Sequence, residues 1–319
     1  MANRRVLITG MAGFIGYHLA KKLKELGDSL MGIDNFNDYY DSNLKRARIA
    51  DLQDIRCVEG DIQDVTLLTA LIKEFRPTHI LHMAAQAGVR FSLLNPKAYI
   101  DANINGFLSI LEVLKDHPEI KLLFASSSSV YGLNTKVPFD ETDATDQQAS
   151  FYGVTKKCNE LMARTYHHLY GISAIGLRFF TVYGPFGRPD MAYYSFTDKI
   201  VKGIPIDVFG EDQMRDFTYI DDIIEGVIKA MDLPGGFEIF NLGNHRPVAL
   251  MRFIQILESA VGQKAKIRVT SPQKGDVKET YASIEKSHQL LQFEPKTNLE
   301  EGIPLFVDWY RKYNAFKSL

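Results

Sequence analysis

Thr9-Gly10-Met11-Ala12-Gly13-Phe14-Ile15-Gly16, entered from the apolar run Arg5-Val6-Leu7-Ile8, is the stretch on which the fold is decided. Arg5 through Thr9 reads as a strand, and a helix reads from about Gly13 to Leu26. Gly10 permits a tight turn, Gly13 lets a pyrophosphate approach the N–H groups at the helix start, and Gly16 allows the helix to pack closely. Phe14 and Ile15 lie between them at the same helix start. A glycine triplet alone is weak evidence. Strand before, helix after and an acid at the end of the next strand favour a dinucleotide site over a bare turn.

That acid is Asp34, which follows Ser29-Leu30-Met31-Gly32-Ile33 and lies eighteen residues beyond Gly16. A carboxylate there accepts hydrogen bonds from the adenosine ribose hydroxyls and repels a 2′-phosphate, so NAD is expected rather than NADP. Asn35 and Asn37 continue the same cofactor loop. Asp61, with Ile62 after Val58-Glu59-Gly60, either meets the adenine or caps the following helix. Ala84 and Gln86 follow the strand His79–Met83 on the nicotinamide side.

Further short apolar runs occur at 55–58, 121–125 and 174–179. Buried runs separated by helices imply a parallel sheet covered on both faces, the doubly wound (Rossmann) α/β fold. Glycine, proline and aromatic residues become denser from Gly184 to Pro189. We therefore expect a dinucleotide-binding domain over 1–180 and a smaller, interleaved C-terminal substrate domain over 181–319. A return segment is expected near 215–245, where Phe237–Leu242 reads as a strand rejoining the main sheet. Leu299 to Tyr313 reads as a terminal packing helix.

With 319 residues, 45% hydrophobic and 24% charged, the chain has the composition of a soluble globular protein. Thirty-seven basic against thirty-nine acidic residues, without a basic block, give no reason to expect nucleic acid or membrane as a partner. An anionic ligand must then be met by a few local arginines. Cys57 and Cys158 match no metal spacing and read as reduced, buried packing residues; no metal site is expected, and the cytosol fits.

Chemistry enters at Ser150-Phe151-Tyr152-Gly153-Val154-Thr155-Lys156. On a helix Tyr152 and Lys156 share a face. A free phenol has a pKa of about 10, and a neighbouring ammonium makes it a usable base nearer neutrality. The spacing is weak by itself, because fifteen tyrosines give about one such pair by chance. Tyr17 and Lys21 are that chance pair, and Tyr17 sits where a helix packs on its sheet.

The glycine spacing, the Tyr152/Lys156 pair and Ser126-Ser127-Ser128-Ser129-Val130-Tyr131-Gly132 together resemble the extended short-chain dehydrogenase/reductase family, in particular its NAD-dependent nucleotide-sugar epimerases. The stretches 34–41, 84–90, 177–185 and 187–191 look like those of the UDP-glucuronate 4-epimerases. The resemblance implies that Tyr152 removes the proton from the sugar 4-hydroxyl as hydride passes to NAD. Ser127 bonds the same oxygen, and the 4-keto sugar turns and takes the hydride back on its other face. NAD is then retained tightly. UDP-glucuronate would become UDP-galacturonate; the rival readings are a UDP-glucose/UDP-galactose 4-epimerase and a non-catalytic nucleotide-sensing protein.

Related decarboxylases carry glutamate where this chain has Ser129, and sugar dehydratases carry an Asp-Glu pair at Ser128-Ser129. Hydroxyls there argue against both reactions, and Ser128, Ser129 and Thr181 suit a carboxylate unless they merely fill a strand end. Arg215 resembles the family's diphosphate-binding arginine, and Arg188 lies in a loop suited to approach substrate; a surface ion pair is the alternative for each. Phe209 either stacks on uracil or belongs to the core. Asp276 resembles a ribose ligand or is a turn acid, and Gln273 stands where a hexose epimerase has a second arginine. Arg90 reaches an anionic sugar or pairs on the surface. Tyr39 and Tyr40 lie in a long polar loop suited to shield the adenosine. Asp221-Asp222 reads as a helix N-cap, His82 as a core histidine, and a homodimer is expected by analogy alone.

Overall fold

The computed structural model describes residues 4–209, 213–270 and 279–317. Its first half alternates β1 (Arg5–Thr9), α1 (Phe14–Glu25), β2 (Ser29–Asp34), α2 (Ser42–Leu52), β3 (Arg56–Glu59), α3 (Val65–Phe75) and β4 (His79–His82). Two short helices, α4 (Phe91–Leu94) and α5 (Pro96–Tyr99), lead through a wide π-turn at Ile100–Asn105 into α6 (Gly106–Leu114). Then come β5 (Lys121–Ser127), α7 (Phe151–Tyr170) and β6 (Ala174–Phe179).

The second half contains β7 (Thr181–Tyr183), α8 (Ala192–Val201), β8 (Ile206–Phe209), β9 (Met214–Tyr219), α9 (Ile220–Met231) and β10 (Phe237–Leu242). It ends with β11 (Pro247–Ala249), α10 (Leu250–Val261), β12 (Ile267–Thr270), β13 (Glu279–Thr280), α11 (Glu285–Leu291) and α12 (Leu299–Lys317).

Seven parallel strands form the main sheet in the order β10-β6-β5-β4-β1-β2-β3. Because side chains alternate across a strand, Val6 and Ile8 enter one core and Leu7 the other, so both faces are buried. The sequence reading of six early strands holds, and β10 does rejoin the sheet, beside β6 with Phe237 opposite Ala174. The chain order reverses between β1 and β4, which opens a crevice at their carboxyl ends. Beyond that crevice β7, β9, β11 and β13 form a small second sheet, and β8 pairs with β12.

One difference bears on the site. β5 runs two residues past the expected end, so Ser126 and Ser127 are strand residues and Ser128–Tyr131 form a 3₁₀ turn. The Ser127 hydroxyl accepts from the Ser129 amide at 3.1 Å and caps that turn.

Candidate active site

The crevice holds a cleft of ≈ 370 Å³ that runs from the glycine turn to the serine cluster. At Gly10 φ is +69°, and a Cβ would lie 2.6 Å from the Ala84 nitrogen on the facing loop. A Cβ on Gly16 would lie 2.2 Å from the Gly10 oxygen. Only glycine lets β1, α1 and β4 converge so closely. Helix α1 starts without a side-chain cap, which leaves the first-turn amides of the cleft-lining Phe14 and Ile15 without a side-chain acceptor.

Asp34 is buried and accepts from the amides of Ala12 (3.1 Å) and Phe36 (2.9 Å). Burial pushes its carboxyl up, against the pull of Lys45, those two amides and Arg48. Asp61 accepts from Asn35 Nδ2 and the Gln63 amide, both at 2.9 Å. Its helix-cap reading is overturned, because α3 is capped by Asp64, which accepts from the Leu67 amide. Ile62, Asn37 and Ala84 also line the cleft.

Ser150 caps α7 by accepting from the Gly153 amide at 3.0 Å, and this aims the first turn of the helix into the cleft. Tyr152 and Lys156 both line it. The expected pairing of phenol and ammonium takes a different form, however. Lys156 Nζ donates to the Ala125 carbonyl at 2.7 Å, and burial lowers the ammonium to about 7. The Tyr152 phenol is pushed up by burial, and the groups that oppose this are the charge of Arg188 and a hydrogen bond with Ser127.

Below the serines, Ser126 Oγ donates to Glu160 Oε1 at 2.7 Å. Glu160 in turn receives a two-pronged bond from Arg178 at 2.8 and 2.9 Å. The π-turn carries Asn103 inward, where its amide side chain bonds both the N–H (2.8 Å) and the carbonyl (3.0 Å) of Gln86. Asn159 of α7 donates to the Asn103 carbonyl at 2.6 Å, so the Ala84–Gln86 loop and the Tyr152 helix are held to one post. Among the described residues Gln86 Nε2 is a buried donor with no partner within hydrogen-bonding geometry.

Ser127, Ser128, Ser129, Thr181 and Arg188 line the other end. Asp190 holds Arg188 in a fork at 3.0 and 2.5 Å and accepts from Tyr39 Oη at 3.2 Å. Tyr39 and Tyr40 are lining residues. Arg90, Phe209 and Arg215 lie outside this lining. The Arg90 guanidinium sits 4.9 Å above the Phe209 ring, and Arg215 on β9 donates to the Met214 carbonyl at 2.8 Å. Asp276 and Gln273 lie outside the described residues.

Of four smaller readings, two need correction and two hold. Asp221-Asp222 does not cap α9, whose N-cap is Tyr219 without a side-chain bond; Asp222 instead accepts from the Thr297 amide at 3.0 Å. Cys57 and Cys158 are free but half-buried, since the face of β3 and the flank of α7 that carry them are only partly covered. Tyr17 is a buried packing residue bonded to Asp51 at 2.6 Å, and His82 bonds Thr9 at 2.9 Å with its imidazole lowered by burial to about 3. Among the described residues there is no group of three or more His, Cys, Asp or Glu placed to hold a metal, and no helix is long and apolar enough to cross a membrane.

Sequence reasoning missed Lys45 and Arg48 on α2. Lys45 lines the cleft and donates to Asn37 at 2.8 and 2.9 Å. A signal existed: Leu44, Lys45, Arg48 and Leu52 fall at helical spacing on the buried face, with two cations among them.

The model of the NAD dependent epimerase/dehydratase family matches residues 6–243. "UDP-glucuronate 4-epimerase 4" of Arabidopsis thaliana is 50% identical, over 97% of this chain and 75% of the plant protein. "Protein CapI" of Staphylococcus aureus is 42% identical over 97% and 99% of the two chains. Among solved structures, UDP-glucuronic acid 4-epimerase from Bacillus cereus, in complex with UDP-glucuronic acid and NAD, is 34% identical. Its TM-score is 0.90, covering 97% of this chain and 99% of that one. The UDP-glucose 4-epimerase of Thermotoga maritima, with UDP-glucose, is 31% identical with a TM-score of 0.89 and the same coverage.

Proposed function

The chain belongs to the NAD dependent epimerase/dehydratase family, and from that premise we propose that it is a UDP-glucuronate 4-epimerase that forms UDP-galacturonate through a transient 4-keto sugar. The carrying observation is the 50% identity to a UDP-glucuronate 4-epimerase over nearly the whole chain, together with a cleft end lined by three serine hydroxyls, Thr181 and Arg188. NAD fits the opposite end: the glycine cradle, the uncapped α1 amides, the Asp34 carboxylate and the unpartnered Gln86 donor offer what a dinucleotide requires. Gly10, Gly13, Phe14, Ile15, Gly16, Asn35, Asn37, Asp61, Ile62 and Ala84 would hold it with them.

When bound, NAD supplies a hydride acceptor and donor beside C4 of the sugar. Tyr152 takes the proton of the 4-hydroxyl and returns it, while Ser127 bonds the same oxygen. Lys156 orients the tyrosine's helical turn through its bond to Ala125. Ser128, Ser129, Thr181 and Arg188 receive the carboxylate, Arg188 as a fork released by Asp190. A 4-keto uronate is a β-keto acid that loses carbon dioxide readily. Neutral hydroxyls at 128 and 129 bind the carboxylate without adding an acid to that step. Arg90, Phe209, Arg215 and Asp276 remain candidates for the uridine diphosphate end.

Incubating the purified protein with UDP-glucuronate, and separately with UDP-glucose, tests the reading. UDP-galacturonate is expected from the first. Epimerisation of UDP-glucose alone refutes the uronate assignment in favour of the hexose reading, for which the Thermotoga maritima neighbour is the specific support. We further propose a cytosolic homodimer joined through α6 and α7, and a product destined for polysaccharide. Two free thiols and the exposed apolar side chains of those helices support the first two.

A further inference from the structure

Among the described residues Arg48 is the largest side chain wholly shut off from solvent, and none of its hydrogen bonds there goes to a carboxylate. Nη1 donates to the Ala12 carbonyl in the glycine turn at 2.8 Å and to Tyr40 Oη at 2.7 Å. Nε and Nη2 donate to the Phe186 carbonyl at 3.1 and 2.6 Å, and Nη2 also to Gly187 at 3.3 Å. One guanidinium thus grips the turn at the cofactor end and the two residues that precede Arg188 at the substrate end.

Its nearest counter-charge is the Asp34 carboxylate, which it shares with Lys45. Of the charged groups around the glycine turn, Lys45, Arg48 and Asp34 are buried, two cations against one anion, and the exposed Asp38 acts on Lys45 from outside. A buried cation that must share its counter-charge is costly, and a ligand that supplies a further anion is bound more tightly for it. The first turn of α1, beside Ala12, offers its uncapped amides to an anion as well.

We propose that Arg48 is a positioning residue that couples the two ends of the site: the diphosphate of the bound dinucleotide completes its charge balance, and the guanidinium so fixed holds Phe186 and Gly187 where Arg188 meets the sugar carboxylate. Cofactor occupancy thereby sets affinity for the charged sugar. The inference rests on the reading of Arg188 given above. Arg48→Lys keeps the charge but cannot reproduce the fork that spans Ala12, Phe186 and Gly187, whereas Arg48→Met removes both.

Two readouts besides turnover decide it. The first is NAD remaining with each purified variant after gel filtration, and the NAD dissociation constant at low and high salt. Arg48→Met is expected to bind NAD at least tenfold more weakly with a flatter salt dependence, and Arg48→Lys to lie nearer the unmutated chain. The second is binding of UDP-glucuronate and of UDP-glucose at saturating NAD. Arg48→Lys is expected to weaken the uronate at least fivefold and the neutral sugar by less than twofold, with no further loss when Arg188→Met is added.

Unchanged NAD binding in both variants overturns the charge-balance half. Equal weakening of the two sugars, or losses that add to those of Arg188→Met, overturns the coupling and leaves Arg48 a packing residue. If Arg188→Met alone leaves uronate binding untouched, the assignment of Arg188 falls and the coupling with it, while NAD retention still decides the charge-balance half. Loss of fold in Arg48→Met is recognised by its melting curve, and Arg48→Lys then carries both readouts.

Discussion

Tyr152 stands in surroundings that disfavour its phenolate, because burial raises the phenol above its ordinary value. Lys156 at about 7 is only partly charged near neutrality, so the charge that opposes this rise comes from Arg188. We expect Tyr152→Phe to lower kcat by about 10²–10⁴-fold, the scale of positioned acid–base catalysis, with NAD content unchanged. Full turnover in that variant removes the phenol from the chemistry. Lys156 has its own pH signature. Its pKa is lowered in the fold, so between about 7 and 10.5 the unfolded chain binds more protons than the folded one, and stability from this group rises with pH. In thermal melts the unmutated protein should therefore gain on Lys156→Met as pH is raised from about 7 to about 9. A constant gap across that range would mean that the ammonium is not desolvated.

At the scale of elements, the site is carried by the ends of β5 and α7, and one buried network keeps those ends in register. Glu160 of α7 is bonded to Ser126 of β5 and to Arg178 of β6; Arg178 reaches Tyr131 at 2.9 Å, and Tyr131 reaches Asn241 of β10 at 2.7 Å. Glu160→Leu strands a buried guanidinium and should cost about 3–5 kcal/mol. Adding Arg178→Met removes the orphan charge, so the double variant should melt above the single one. A double variant that melts lower would show that the pair stabilises beyond charge balance. These elements differ in how legible they were. β1, β6 and β10 could be read to the residue because a strand of a covered parallel sheet is a mostly apolar run with turn residues at its ends, even where β6 carries Arg178 and the edge strand β10 carries Glu238 and Asn241. The 3₁₀ turn at Ser128, the π-turn at Ile100–Asn105 and the bond of Asp222 to Thr297 were not, because each is fixed by a partner distant in the chain.

In the whole molecule the two halves of the site were unequally visible in the sequence for the same reason. The cofactor half is a local motif, glycine turn, helix start and following strand, and every residue expected there lines the cleft. The substrate half is assembled from β5, β7, the Arg188 loop and the Tyr39 loop, whose proximity depends on how the second sheet sits over the first. Lys45 and Arg48 were hidden because cations on a helix ordinarily read as its solvated face. The remaining surface of the Tyr152 helix suggests what lies on its other side. Leu161 is 55% exposed and Val154 38%, and Leu108 on the adjacent α6 is 39% exposed. Scattered apolar residues on a surface need no explanation, but on these two packed helices they lie where the homodimer proposed above would join. A two-fold pairing there would stiffen α7 from the side opposite the cleft, where its register sets the reach of Tyr152. The protein should then travel in light-scattering chromatography as a particle of twice 36.1 kDa. Leu161→Glu should halve that mass and lower the melting temperature together with kcat. Particles of single mass from the unmutated protein would leave these leucines as ordinary surface, with α7 held by its own sheet alone.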